Sequence, residues 1–399
     1  MIVNVMIIYF LRMFLGGLVL FLFAKYSTHS EFAVVALAFT LGALLHVMQD
    51  WGLFYSVAEA WKGKRKFYLK SLGLYRVRLS IIVGFVGVFV FLFILGGVGF
   101  VFWICFMLQS VCIYVGYYYR LSGGLNKERS SLVWAVVFFV SSFSAFVLIG
   151  HMSVFSFAFS LLFARLIQLF MLLKGFPLLS FRFFSLKNLF GTPKIDGIKV
   201  FLNYGLPMFV GSIFVLADSL VVNFFIDDSS AALYQYGYRF VSLAMVFLEI
   251  LVFLFYSKID MKDPVLRGGS AMYLGACASF LIGSYVFFTL FYGPGSCYLF
   301  DKVYCQAGEW GEEVFLVILL KVIMSACSVY MLVFCSGWQR IFPGVVGVVS
   351  LMFSLLFFMG EGSGLSEFYK VVIVANLFAA FFSVFLFVRL SLRGGVKFV

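Results

Sequence analysis

The chain has 399 residues, of which 64% are hydrophobic, 12% charged and 21% aromatic, with a mean hydropathy of +1.10. A soluble domain runs at about 45–50% apolar and about 25% charged, so too little polar surface exists here to coat a water-soluble globule, and a large soluble catalytic domain is excluded. The net charge of +12 would suit nucleic acid if the basic residues shared one water-facing surface. They lie instead in short stretches between apolar runs, and no nucleic-acid partner is expected.

A hydrocarbon core about 30 Å thick takes about 20 apolar residues per helical crossing. Runs of that length lie at 2–24, 33–57, 79–98, 100–119, 131–150, 153–174, 203–226, 232–257, 270–292, 314–335, 343–360 and 369–389. They are read as helices, because a helix satisfies its own backbone in lipid while a barrel would show alternating ten-residue strands. The expected fold is an all-α polytopic membrane protein of about twelve helices in two six-helix lobes. Arg12 interrupts the first run where a cleaved leader would carry its basic residues ahead of it, so no signal peptide is expected.

Charge placement orients these runs. With the N-terminus inside, 22 of the 29 Lys/Arg fall in inner stretches, against Lys25, Lys302 and Lys370 outside or at an outer edge. Inner loops carry the Lys/Arg excess, which predicts N-in and C-in. The longest inner connection, 176–202, mixes Phe and Leu with spaced Lys/Arg, as either a solvated linker or an interfacial amphipathic helix would. It separates an N-terminal lobe, 1–175, from a C-terminal lobe, 203–399.

Seven cysteines and three histidines form no metal constellation, and no cofactor is expected. Cys105, Cys112, Cys277, Cys327 and Cys335 lie in apolar runs, where a small hydrophobe is the default reading. Cys297 and Cys305 share an outer loop that permits a disulfide if the outside is oxidising. Gln109, Asn223 and Gln235 are read as interhelical hydrogen-bond glue. There is no GxxxxGK[ST] phosphate loop and no arrangement of catalytic side chains, so a transporter is expected rather than an enzyme.

The informative residues are ionisable groups inside the runs: Arg12, Asp50, Arg165, Asp218, Arg239, Glu249 and Lys321. Each costs about 2.5–3.5 kcal/mol or more at a helix centre, so each should face a bundle interior, a partner or a water-filled cavity. Asp218 and Arg239 flank the same outer turn at similar depth, and a structural ion pair between them is the first expectation. The second has Asp218 orienting Arg239 toward a cavity. Asp50 and Glu249 are either paired structural carboxyls or carriers of a coupling proton. A space lined mainly by the cations Arg12, Arg165, Arg239 and Lys321 suits an anionic cargo, because guanidinium matches phosphate with two parallel hydrogen bonds.

Residues 201–259 resemble the polysaccharide transporters of the multidrug/oligosaccharidyl-lipid/polysaccharide (MOP) exporter superfamily. The shared features are Tyr204-Gly205-Leu206-Pro207, a helix carrying Asp218, and Leu233-Tyr234-Gln235-Tyr236-Gly237-Tyr238-Arg239. The N-terminal part is similar too, with Arg12 followed by Glu31-Phe32-Ala33, where many relatives have Gly in the third place. Length and the lack of an extended soluble domain look most like the O-antigen (Wzx-type) flippases. That resemblance implies a multi-pass protein of the bacterial inner membrane serving lipopolysaccharide O-antigen or related polysaccharide biosynthesis. Its cargo would be an undecaprenyl-pyrophosphate-linked oligosaccharide, moved from the cytoplasmic to the periplasmic leaflet by alternating access. Arg12, Arg165, Arg239 and Lys321 would hold the cargo, with Asp50, Asp218 and Glu249 supporting it or coupling an ion. Partners would be the lipid-linked substrate, the bilayer and other polysaccharide-assembly proteins. The competing readings are a multidrug exporter of the same superfamily and a membrane-embedded polysaccharide polymerase.

Overall fold

Every regular element of the described chain is a helix, as a backbone without access to water requires. The computed structural model describes residues 2–50, 66–121, 124–174, 205–256, 269–299, 302–334, 337–360 and 363–392, and among them there is no strand. The linker 176–202 lies outside the described residues. Against twelve expected runs, eight helices among the described residues are long and apolar enough to cross a membrane, with a shorter apolar helix at Phe209–Phe225. Large apolar side chains such as Phe93, Leu356 and Phe357 are exposed on these helices, the signature of a surface that faces lipid rather than water. The chain is an all-α, multi-pass membrane protein.

The chain forms two compact units, the first Met1–Ser27 with Val34–Phe209 and the second Thr28–Ala33 with Val210–Val399. In the first unit, α1 (Ile2–Met13) runs through a π turn at Phe14–Leu18 into α2 (Val19–Ala24). Helix α3 (His29–Asp50), whose first turn is assigned to the second unit and the remainder to the first, opens on a reciprocal capping box. Thr28 donates its backbone N–H to Glu31 Oε2 at 3.0 Å, and Glu31 donates its own N–H to Thr28 Oγ1 at 3.4 Å. Two of the orphan donors at the helix start are thereby satisfied.

The long helix α4 (Lys66–Leu121) is broken at Gly96, where φ is 62°. Only glycine enters that left-handed region without a steric penalty. The two limbs fold back on each other about this point: Trp103 donates its indole N–H to the Gly84 carbonyl at 2.9 Å, and Phe91 packs on Phe106. The 38 residues of the largely apolar segment Leu79–Gly116 would otherwise extend about 57 Å at 1.5 Å per residue, nearly two bilayer cores.

The unit is completed by α5 (Leu125–Leu148) and α6 (Val154–Leu173). Gly150, at φ 73°, ends the first of these, and Ser153 caps the second by accepting the Ser156 N–H at 3.3 Å. Helices α4 and α6 pack in a parallel seam with a seven-residue step. Cys105, Cys112 and Tyr119 donate to the carbonyls of Ala158, Arg165 and Leu172, each acceptor 53 residues after its donor. Seven residues make about two turns, which keeps the donors on one face.

In the second unit, α7 (Leu206–Phe225) carries Pro207 in its first turn, where no intrahelical N–H is missed. Asp227 caps α8 (Asp228–Tyr256) by accepting the Ser230 N–H at 3.0 Å. Then follow α9 (Gly269–Phe287), a π turn at Phe288–Tyr292, α10 (Gly293–Leu299), α11 (Lys302–Cys305) and a 3-10 turn at Gln306–Trp310. A disulfide joins Cys297 to Cys305 and closes α10 onto α11. The unit ends with α12 (Gly311–Phe334), α13 (Gly337–Phe358) and α14 (Leu365–Leu392).

Candidate functional site

The ionisable groups inside the apolar helices fall into two clusters, one in each unit. In the second unit, Lys321 on α12 is fully buried and donates from Nζ to Asp218 Oδ2 on α7 at 2.9 Å. It also donates to the Val215 carbonyl at 2.9 Å and lies 4.9 Å from the centroid of the Tyr238 ring. Two phenols finish the arrangement. Tyr234 donates to the same Asp218 oxygen at 2.8 Å, and Tyr238 donates to the Val215 carbonyl at 2.6 Å. A buried ammonium is tolerated when charge and hydrogen bonds are both supplied, and here they are. A narrow cleft beside the pair is lined by Tyr234, Gly237, Tyr238, Val314 and Tyr369.

The expected ion pair of Asp218 with Arg239 is corrected: the carboxylate pairs with Lys321. Equal depth on two helices does not fix azimuth. Tyr234 and Tyr238, four residues apart, occupy the α8 face that meets Asp218, while Arg239 is one residue, about 100°, further round. The Arg239 guanidinium is held by Gln235, whose Oε1 accepts from it at 2.9 Å. Gln235 is itself locked to α7, accepting from Ser219 Oγ at 2.9 Å and donating to the Ser219 carbonyl at 2.7 Å.

In the first unit, Arg12 on α1 forms an ion pair with Glu128, in the first turn of α5, at 2.5 Å. The positive end of the α5 dipole favours a carboxylate there. The pair fits into a hollow on α4: a Cβ at Gly116 would come within 2.8 Å of Glu128 Oε1 and 3.0 Å of the Arg12 guanidinium. Arg165, on α6, has a different environment. It is 3% exposed and donates to Gln168 Oε1 at 2.9 Å, Gln109 Oε1 at 2.8 Å and the Leu15 carbonyl at 3.4 Å. Leu15 belongs to the π turn, which loosens the local carbonyl ladder. No carboxylate lies within ion-pair distance of Arg165 among the described residues, and its Nε has no acceptor there.

Of the remaining expected residues, Asp50 is buried at the end of α3. Glu249 lies on α8, and its side chain falls outside the described residues. No group of three His, Cys, Asp or Glu could hold a metal among the described residues. Gln109 and Gln235 act as interhelical bonds as expected, the first through Arg165 and the second through Ser219. Asn223 does not: its side-chain amide has no hydrogen-bond partner among the described residues.

Glu128 and Gln168 are the members that sequence reading missed. Glu128 sits in the charged stretch Asn126-Lys127-Glu128-Arg129 and reads as a solvated inner loop. Its position in the first turn of an apolar helix was the available signal.

No protein-family model matches the chain, and no curated protein sequence does. Solved structures do match. The fold is similar to that of a multidrug resistance MATE family transporter of the MOP superfamily in its inward-facing conformation, at TM-score 0.72 and 13% identity over 95% of each chain. The same comparison with an outward-facing conformation gives TM-score 0.68 and 12% identity over 99% of this chain and 95% of the other. A MOP superfamily transporter from Pyrococcus furiosus, described as having a binding pocket of reverse polarity, gives 0.69 and 12% over 99% and 95%. At these identities the likeness is one of fold, and the chain has the MATE-like fold along nearly its whole length.

Proposed function

We propose that this protein is a transporter that moves an anionic lipid-linked cargo, an undecaprenyl-pyrophosphate-linked oligosaccharide, between the leaflets of a bacterial inner membrane by alternating access. The MATE-like fold supports a transporter, and the residue-level resemblance to polysaccharide flippases supports the cargo class. The observation that carries the charge of the cargo is Arg165. A buried guanidinium whose acceptors among the described residues are all neutral carries a positive charge that low dielectric makes strongly attractive to an oxyanion. Guanidinium also meets phosphate with two parallel N–H donors. A cation-exporting site would be expected to present the reverse balance.

The ligand drives such a cycle only through its differential affinity for the two states. With no nucleotide-binding motif in the sequence, the drive is an ion gradient or removal of product on the far side. Deleting the gene tests the assignment. Loss of surface polysaccharide with accumulation of lipid-linked repeat units on the cytoplasmic face is the expected result. Normal polysaccharide with increased sensitivity to cationic drugs would favour the multidrug reading, which the fold accommodates equally.

A further inference from the structure

The two cysteines of the disulfide each follow a residue that rests on Tyr236 of α8. Ser296, just before Cys297, gives its hydroxyl proton to the Tyr292 carbonyl at 2.7 Å. A carbonyl can only accept, so the Tyr236 hydroxyl is the donor in its 3.0 Å bond to Ser296 Oγ. Tyr304, just before Cys305, packs on the Tyr236 ring with centroids 5.0 Å apart. The disulfide thus ties together two limbs, α10 and α11, that grip one buried side chain. The base of this cap is closed in another way. Gly293 and Gly308 meet backbone to backbone, and a Cβ at Gly308 would lie 2.7 Å from the Gly293 Cα. That contact needs no sulfur, so cutting the disulfide frees the tip of the cap and leaves its base in place.

Tyr304 has a second pair of neighbours within the second unit. His29 and Phe32, in the first turn of α3, meet its ring edge-on at centroid distances of 5.4 and 5.8 Å. That turn, Thr28–Ala33, belongs to the second unit, and the chain enters the first unit at Val34. Tyr304 therefore packs on the end of a helix that the two units share. The capping box of Thr28 and Glu31 keeps the turn helical, and the Tyr304 ring gives it a fixed seat.

We propose that the Cys297–Cys305 disulfide is a thiol–disulfide switch: oxidised, it clamps the cap on Tyr236 and holds the first turn of α3, and reduction by a protein dithiol on the outer side releases both. The chemistry needs a sulfur that an attacking thiolate can reach. Cys297 is exposed and Cys305 half-buried, whereas the four free cysteines among the described residues are buried. One thiolate of the dithiol attacks the Cys297 sulfur, and Cys305 leaves as a thiolate and takes up a proton. The second thiolate of the dithiol then attacks its own sulfur in the mixed disulfide, and Cys297 leaves in turn and is protonated. Two electrons pass to the cap, and the partner ends as a disulfide. With the ring open, the segment between the cysteines must be ordered by noncovalent contacts against the conformational entropy of its backbone. The outer placement of the loop follows from the Lys/Arg asymmetry, and the switch does not depend on the identity of the cargo.

The test uses the full chain in nanodiscs and follows backbone hydrogen exchange by mass spectrometry before and after treatment with dithiothreitol, and again after reoxidation with diamide. A gain of two hydrogens in mass verifies the reduction. Exchange in residues 28–33 and 302–310 is expected to rise by at least about fivefold on reduction, the mark of local opening, and to return on reoxidation. Residues 125–148 of α5 should not change. Cys297→Ser/Cys305→Ser should show the reduced pattern throughout and ignore dithiothreitol. Tyr304→Ala should raise exchange in 28–33 with the disulfide intact.

Unchanged exchange in 28–33 after verified reduction overturns the proposal, because the bond would then fasten the cap alone. A disulfide that resists dithiothreitol in the folded protein overturns it too, as does a serine variant that keeps the oxidised pattern. If the serine variant does not fold, the cycle of reduction and reoxidation on the unaltered chain decides, and exchange that fails to return on reoxidation counts against a switch.

Discussion

Arg12 and Glu128, 116 residues apart in the chain, meet at 2.5 Å in a hollow that exists because residue 116 is glycine. Three helices converge there, and the charge pair is seated where a methyl group would stand. Gly116→Ala should therefore push on the tips of the Glu128 and Arg12 side chains and destabilise the protein by about 1 kcal/mol, the low end of overpacking costs, because flexible side-chain ends can shift. Gly275, with nothing within 4 Å of its would-be Cβ, is the control. Gly275→Ala should be neutral or stabilising by up to about 1 kcal/mol, the difference in helix propensity. Thermal melts of the two purified variants in one detergent make the comparison, and equal melting temperatures would remove the hollow from the argument.

The Asp218–Lys321 pair leads to a second comparison. Replacing one member leaves a buried charge without its partner, which costs about 3–5 kcal/mol. Asp218→Asn and Lys321→Met should each lower stability on that scale. The combined Asp218→Asn/Lys321→Met protein should recover most of the loss, because two neutral groups need no counter-charge. A double variant no more stable than the worse single one would show that the two residues do not act as a pair.

Topology gives a third prediction. Single cysteines at Lys64, Asp228, Gly311 and Lys397, labelled with a membrane-impermeant maleimide in a background free of other reactive thiols, should report in, out, out and in. The basis is the Lys/Arg asymmetry of the connecting stretches. An inside report from Gly311 would overturn the assignment of the second half.

The outer turn before α8 supplies a pH dependence. Asp227 accepts the backbone N–H and then the hydroxyl of Ser230, which hold its carboxyl below its ordinary value of 3.8. A depressed carboxylate contributes stability above its unfolded value, and that stability is lost as the pH falls through the folded one. Asp227→Ala should cost about 1 kcal/mol at pH 7, as N-cap replacements do. The gap between the two proteins should narrow below about pH 3.8. Melting curves at pH 7 and pH 3 measure it, and a gap that widens in acid would assign the stabilisation elsewhere.

How much of this was legible in the sequence varies with the kind of interaction. Apolar runs and Lys/Arg placement gave a membrane-spanning helical chain, because the physics of lipid acts on composition. The break near Gly96 was visible as the boundary between the runs 79–98 and 100–119, because one bilayer core limits how long an apolar helix can continue. Ion-pair partners were another matter. Arg239 was the natural partner for Asp218 by depth along the chain. The choice between it and Lys321, 103 residues from Asp218, depends on helix azimuth and long-range packing, which no local pattern records. Glu128 was hidden for a related reason: among neighbouring charges, a buried carboxylate and a solvated one look alike. Cys105 and Cys112 read as small hydrophobes because a thiol's hydrogen bond depends on which carbonyl faces it.

Those thiols, together with Tyr119, bear on how the first unit can move. Their three bonds to α6 share one offset of 53 residues, like the teeth of a rack engaged at one setting. A slide of α4 against α6 by a single residue, about 1.5 Å, disengages all three teeth together, and no intermediate setting restores one of them. The two helices are therefore poor candidates for shear and good ones for travelling as a rigid pair. Motion in this part of the unit then falls to the places where the ladder is already interrupted, the bend at Gly96 and the π turn that offers Leu15 to Arg165.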